Sequence, residues 1–241
     1  MGAEKCNAVV LRYADYKEAD RMLTLFSREE GKLSAAIKGV KKQSSKLRNG
    51  AELFALGEYL FNDKAGRLTV IGYTSMDSFY PIREDLVRLW CATLATNMVE
   101  TVATAQPEPE LFDCLVYALS LFAYNDNAHP LAILNNFMLT FCGINGIYPD
   151  TNACPHDCRV YYGYYRNGFV CRECAGERYI RLDGQILQIL SATDAAPPDR
   201  LAMLCALSDS QLRSLYKMLT EHISYCLDKT FKAASFLQSI I

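Results

Sequence analysis

The sequence predicts a multidomain α+β protein: an N-terminal five-stranded barrel, then an all-helical domain with a small metal-stapled module inserted into it. Three observations carry this. Period-two alternation dominates as far as residue 80, and a period of three to four replaces it afterwards. Two close cysteine pairs, Cys154/Cys158 and Cys171/Cys174, with twelve residues between the pairs, then interrupt the helical part.

Alternating or β-rich runs occur at Ala8 to Tyr13, Met22 to Phe26, Leu33 to Ile37, Leu53 to Phe61 and Leu68 to Tyr73. The breakers Gly31, Gly39, Asn49-Gly50 and Gly66 separate them. Five short strands favour closure into a barrel, because an open sheet of this size leaves unpaired edges. From Pro81 onward the apolar positions Leu86, Leu89, Trp90, Leu94 and Met98 fall at helical spacing. Two similar patterns follow, through Leu111, Leu115, Leu119 and Phe122 and through Leu131, Leu134, Met138 and Phe141, with Pro107, Pro109 and Pro130 as punctuation suited to first turns.

After the cysteines, helical spacing returns at Gln185 to Leu190 and Leu201 to Leu207. A longer helix is expected to start at Ser208 or Asp209, both good N-caps, and to run to Leu227, with a short last helix ending near Leu237. The domains read as 1–80 for the barrel, 81–148 for the first part of the helical domain, 149–176 for the cysteine module and 177–241 for the second helical part.

The chain has 241 residues and 51% hydrophobic composition, enough for a substantial core. Its start, Met1-Gly2-Ala3-Glu4-Lys5-Cys6, lacks an apolar leader pattern, so ten cysteines point to a reducing cytoplasm rather than a secreted disulfide scaffold. Cys6, Cys91, Cys114, Cys142, Cys205 and Cys226 stand singly among apolar residues and read as small buried hydrophobes. No apolar stretch approaches the roughly 20 residues of a membrane span.

Thiolates in two short loops make a closed tetrahedral zinc site with no position open to water, hence a structural ion. Cys154, Cys158, Cys171 and Cys174 are the expected ligands, with His156 as a substitute donor in an alternative set. A redox Cys-x-x-Cys is disfavoured because a strand-like run, Tyr161 to Val170, precedes Cys171 where a thioredoxin-like motif opens a helix. The sequence carries neither a Gly-x-x-x-x-Gly-Lys-Ser/Thr phosphate loop nor a Gly-x-Gly-x-x-Gly fingerprint. His129 and His222 read as surface or packing residues. No enzymatic activity is expected.

The net charge of −2 hides an asymmetry. Residues 1–80 hold 13 Lys and Arg against 10 acids, the rest 12 against 17, so the barrel is +3 and the remainder −5. Lys32, Lys38, Lys41, Lys42, Lys46 and Arg48 occur with no acid between Gly31 and Ala51. Such a segment is either a solvated surface loop or a phosphate-contacting one. Nearby aromatics, Tyr13, Phe54, Tyr59, Phe61 and Tyr73, are core residues in the first case and stacking partners in the second.

The order of several short segments resembles the bacterial recombination mediator family RecO. Ala19-Asp20-Arg21, Leu25-Phe26-Ser27, Gly31-Lys32-Leu33 and Lys38-Gly39 are similar to its barrel. Phe137 to Thr140 and Gly146-Ile147-Tyr148-Pro149 before Cys154 resemble its passage into a zinc module. Lys232 to Leu237 is similar to its closing helix, with Ala233 where a Ser is usual, and the three-residue gap between Cys154 and Cys158 is also a departure.

The resemblance implies an OB-fold barrel and a protein that binds single- and double-stranded DNA, anneals complementary strands, and helps load recombinase onto strands coated by single-strand-binding protein. It implies a RecR-type partner, contact with the tail of the single-strand-binding protein, and bacterial cytoplasmic, nucleoid-associated action. Carried over by position, Lys38, Lys41, Lys42, Lys46 and Arg48 would contact phosphates, with Arg12 and Arg21 as further candidates. A competing reading is a zinc-stabilised adaptor that docks a peptide on its helical domain.

Overall fold

A computed structural model describes residues 3–156, 160–192 and 196–241. The chain divides into two compact units, 1–124 and 125–241. In the first, β1 (Ala3–Tyr16), β2 (Asp20–Ser27), β3 (Gly31–Ile37), β4 (Leu56–Lys64) and β5 (Arg67–Asp77) close into a barrel of order β1-β2-β3-β5-β4. The five-stranded barrel expected from the alternation is therefore present. All its pairings are antiparallel except β3 with β5. The long strand β1 makes closure possible, pairing with β2 along one stretch and with β4 along another, with a bulge between Val10 and Arg12.

Alternation fills the barrel. Ala8, Val10, Leu23, Leu25, Ala35, Ile37, Tyr59, Phe61 and Val70 form its core. Tyr59 is fully buried yet satisfied, its hydroxyl donating to Gly50 O at 2.8 Å. The fourth strand begins at Leu56 rather than Leu53, because Phe54 is buried in a left-handed turn (φ 68°) that breaks the extended run.

Two helices complete this unit, α1 (Leu86–Val102) and α2 (Pro109–Tyr124). Pro81 lies in a preceding 3-10 turn, and α1 starts only after Asp85, whose carboxylate accepts the Arg88 N–H as an N-cap. The helices cover the outside of the barrel. Phe26, of opposite parity to the core residue Leu25, meets Phe112 at 5.9 Å between ring centroids. Arg28 grips Asp113 with two bonds of 3.0 Å, and Lys32 Nζ donates to Glu100 O at 2.9 Å.

In the second unit α3 (Pro130–Ile144) is buried nearly all round, as its almost unbroken apolar sequence requires. It packs against α5 (Pro197–Cys205) and α6 (Asp209–Cys226). Buried Asn135 donates to Leu212 O at 3.1 Å, and Arg200 on α5 donates to Asn136 at 3.0 Å. Ser208 caps α6 in a reciprocal capping box with Gln211. Between α3 and α4 (Gly184–Ser191) lies a three-stranded sheet of order β7-β6-β8, from β6 (Tyr161–Gly163), β7 (Gly168–Val170) and β8 (Tyr179–Arg181). The run from Tyr161 to Val170 is thus a hairpin rather than one strand, turning at Asn167 (φ 51°). Helix α7 (Lys232–Ile240) ends the fold. Of the single cysteines, Cys6, Cys91 and Cys142 are buried as their apolar surroundings predict, whereas Cys205, at the end of α5, is exposed. Among the described residues no helix is long and apolar enough to cross a membrane.

Gly31 joins barrel to helices at a point with no spare room. Its φ is +70°, and a Cβ there would sit 2.2 Å from Gln106 O and 2.5 Å from Thr104 O. Gly31→Ala is expected to lower the stability of the first unit by about 2 kcal/mol or more. A urea midpoint equal to that of the parent protein would contradict this.

Candidate nucleic-acid interface and metal centre

Most of the acid-free basic segment lies in the connection from β3 to β4, which carries one acid, Glu52, past the end of that segment. It packs its apolar residues inward, with Val40, Ala51 and Ala55 in the barrel core and Leu47 against it, and leaves Lys38, Lys41, Lys42, Lys46 and Arg48 exposed. Backbone anchors fix its course: Gly39 N donates to Asp20 at 2.8 Å, Lys41 N to Ala19 O at 3.0 Å and Ser45 N to Lys42 O at 3.0 Å. The segment thereby lies beside the β1–β2 turn, where Lys17 Nζ stands 5.3 Å from the Tyr16 ring centroid. Tyr16 and Lys17 were not among the sequence-derived candidates. The signal was their place in a short turn, with Lys17 at φ 57°.

The predicted cations are not equivalent. Lys41 pairs with Asp15 at 3.0 Å, and Asp15, held by that hydrogen bond with Arg21 also nearby, lies below the ordinary carboxylate range. Arg21 is spent within the fold: its side chain is 18% exposed, pairs with Glu52 at 3.0 Å, donates to Ala51 O, and lies 4.0 Å from the Tyr13 ring centroid. Arg12 pairs with Glu100 at 2.9 Å. Lys32 sits on β3 bonded to the helical segment. Of the candidate aromatics, Phe54, Tyr59 and Phe61 are core, Tyr73 is half-buried beside Tyr59, and Tyr13 is exposed.

In the second unit Cys154, His156, Cys171 and Cys174 converge, with their ligand atoms all within 4.8 Å of one another. Cys158 lies outside the described residues. Tetrahedral coordination by sulfur at about 2.3 Å places donors about 3.8 Å apart, so the cluster has the size and chemistry to hold one metal ion. His156 Nδ1 lies 3.2 Å from Cys171 Sγ and 3.6 Å from Cys174 Sγ, which makes the alternative donor a member of the observed group. Burial opposes the Cys154 thiolate, but the Cys171 N–H at 3.3 Å and the neighbouring thiols outweigh it and hold Cys154 below the usual thiol value. Hydrogen bonding to Cys171, burial and the neighbouring thiolate charges push Cys174 up to about 11. Crowded thiolates of this kind are what a dication stabilises.

His222 ties the cysteine module to the helices. It is buried on α6, with Nε2 at 2.5 Å from Ile147 O and Nδ1 at 2.7 Å from the Tyr162 hydroxyl on β6. A carbonyl only accepts, so Nε2 carries the hydrogen and Nδ1 accepts from Tyr162. The Gly146-Ile147-Tyr148-Pro149 segment is thus an anchor. Gly146 supplies the left-handed turn (φ +65°), Ile147 receives His222, and the Tyr148 hydroxyl donates to Leu190 O at 3.1 Å.

Family models described as "Recombination protein O N terminal" and "Recombination protein O C terminal" match residues 1–77 and 83–234. A "DNA repair protein RecO" of Desulforamulus reducens is 26% identical over 98% of this chain and 94% of its own length. Proteins of the same name from Bacillus subtilis and Desulfitobacterium hafniense are 30% and 33% identical, over 70% and 72% of this chain and 68% and 65% of theirs.

Burial lowers the His222 pKa below its ordinary value near 6.5, with the Ile147 bond opposing. In the window between the depressed folded value and about 6.5, only the unfolded chain takes up the proton. The contribution of His222 to stability is therefore full above that window and is lost as pH falls through it. His222→Gln is expected to flatten the fall in urea midpoint between pH 7 and pH 5. A variant with the parent's full pH dependence would refute the assignment.

Proposed function

The chain belongs to the RecO family of DNA repair proteins, and on that premise we propose that it is a recombination mediator. In this reading it binds single- and double-stranded DNA without sequence preference and anneals complementary strands. It helps load recombinase onto strands coated by single-strand-binding protein, whose tail it engages, and works with a RecR-type partner in the bacterial cytoplasm. The observation that carries the reading is the exposed, acid-free connection at residues 38–48 on a closed barrel. Cations on such a segment neutralise phosphates of either strand without reading bases, and offsetting the repulsion between two polyanions is what annealing demands. No bond is made or broken in that process, so no catalytic group is required and the protein is proposed not to be an enzyme.

The ion proposed for the cysteine cluster is zinc, in a structural role. Cys154, Cys171 and Cys174 would hold it, with Cys158 or His156 as fourth donor. When bound, the ion neutralises the thiolates and joins the loop after α3 to the segment after β7.

Replacing Lys38, Lys42 and Lys46 with Ala should weaken DNA binding across sequences and make its salt dependence shallower, by roughly 0.7–0.9 in log–log slope for each phosphate no longer neutralised. Lys41→Ala, which leaves Asp15 with Arg21 as its remaining cation, should shift affinity without following that relation. Salt titrations by fluorescence anisotropy give the slopes, and an unchanged slope in the triple variant removes the connection from the interface.

Chelation should lower the unfolding temperature of the second unit, with recovery on adding zinc, because the ion binds only the assembled donors. A metal-depleted protein that unfolds at the same temperature as the loaded one would show that no ion contributes to the fold.

A further inference from the structure

We propose that the three-stranded module carries a second contact for single-stranded DNA, a stacking platform formed by Tyr179 and Arg172 on its outer face and by Tyr165 and Arg166 at the β6–β7 turn. This rests on the DNA-binding reading above and adds a site of different physical character, on the other unit of the chain.

Register sorts the sheet into two faces. Tyr162, Phe169 and Ile180 stand opposite one another and point to one side, where Tyr162 and Phe169 are buried and Tyr162 meets His222. Tyr161, Val170, Tyr179 and Arg181 occupy the other side. The cysteine loops cover that face at β7, packing Cys154, Cys171 and Ala175 on Val170. On the edge strand β8 it is open, with Tyr179 and Arg181 exposed.

On this open half the planar groups are already arranged. Tyr161 meets Tyr179 edge-on, with ring centroids 5.4 Å apart, and the Arg172 guanidinium lies 4.5 Å from the Tyr179 centroid. Arg172 directly follows Cys171 and sits between two of the metal donors, so the knuckle that gathers the thiols also places the guanidinium. Tyr164 N donates to Arg178 O at 3.3 Å, which puts the following turn at the Tyr179 end of β8. There Tyr165 is 94% exposed and Arg166 is exposed beside it. Arg178 is also exposed, but its guanidinium is already engaged, 4.3 Å from the Tyr164 ring centroid and paired with Glu221 at 2.7 Å.

One exposed tyrosine needs no explanation. Two, with arginine rather than lysine at each, form the composition that stacks unpaired bases, since a guanidinium plane offers a π-compatible surface as well as a charge. Glu173 and Glu177 are exposed in the same segment, so the surface is not a simple cationic patch. Its ligand is therefore set by stacking, which selects single strands, whose bases are accessible, over duplex.

The test compares the parent with Tyr165→Ala and with Tyr165→Ala/Tyr179→Leu, measuring affinity for labelled oligothymidylate and for a labelled duplex at several salt concentrations. The double variant should bind oligothymidylate about five- to tenfold more weakly, with duplex affinity and salt slope at parent values. Tyr165→Ala, at a position that fills no core, should show part of the same loss. Metal content and unfolding temperature identify any variant that has lost its fold, in which case Tyr165→Ala alone decides. Unchanged oligothymidylate affinity, or equal losses on both substrates, overturns the platform. A parent protein that binds neither substrate overturns the DNA-binding reading and the platform with it.

Discussion

Closure of the barrel is the constraint on which the first unit depends. Because β3 pairs with β2 and β5, while β4 pairs with β5 and β1, the chain cannot pass from β3 to β4 by a tight hairpin. Strand β3 runs parallel to β5 and β4 antiparallel to it, so β4 begins at the end of the barrel where β3 stops. The connection must cross that end. Doing so, it plugs the barrel with Val40, Ala51 and Ala55 and turns its polar side outward. Lysines on that polar side have no ladder to join and no core to enter. The topology thus sets an exposed basic segment on a rigid rim, with its course fixed by Asp20 and the backbone of Ala19.

The second unit solves a different problem. A helix as apolar as α3 must be surrounded, and α5 and α6 do most of this, leaving polar Asn135 and Asn136 to find partners across the interface. The cysteine module is too small to build its own core, with three strands of three residues each. It draws order from two sources, the convergent donors on one face and buried Tyr162 on the other. His222 joins the second source to the rest of the unit by using both ring nitrogens in a single neutral tautomer, which is why burial without a charge partner is tolerated there.

Features that depend on local periodicity were legible in the sequence. Alternation located all five barrel strands, helical spacing located the major helices, and Ser208 marked the start of α6. What was not legible depends on long-range pairing or on single backbone conformations. Phe54 has the composition of a strand residue, but its left-handed conformation delays β4 to Leu56. The three-residue strand β8 pairs with β6 across the second cysteine pair, and a strand that short has no periodicity to detect. At the candidate interface, sequence counted cations without seeing their partners. Arg12 and Arg21 are engaged by Glu100 and Glu52, residues 88 and 31 positions away. His156 was visible as an alternative donor because it lies between two cysteines, whereas its approach to Cys171 needed the fold.

Charge and stacking would divide the work between the two units. In the proposed function the barrel connection would offer attraction that is long-ranged, indifferent to sequence and weakened by salt, suited to capturing either strand or a duplex. Stacking on Tyr179 and Tyr165 would be short-ranged and nearly salt-independent, and it fails once a base is paired and its faces are covered by neighbours. A strand stacked on the platform would therefore give up that contact as its complement anneals. Under the proposed function, that lost stacking would offset part of the tighter charge-driven hold that a duplex has on the barrel connection. A protein that relied on charge alone would bind the duplex, with its higher charge density, more tightly than either strand and would be retained on its product.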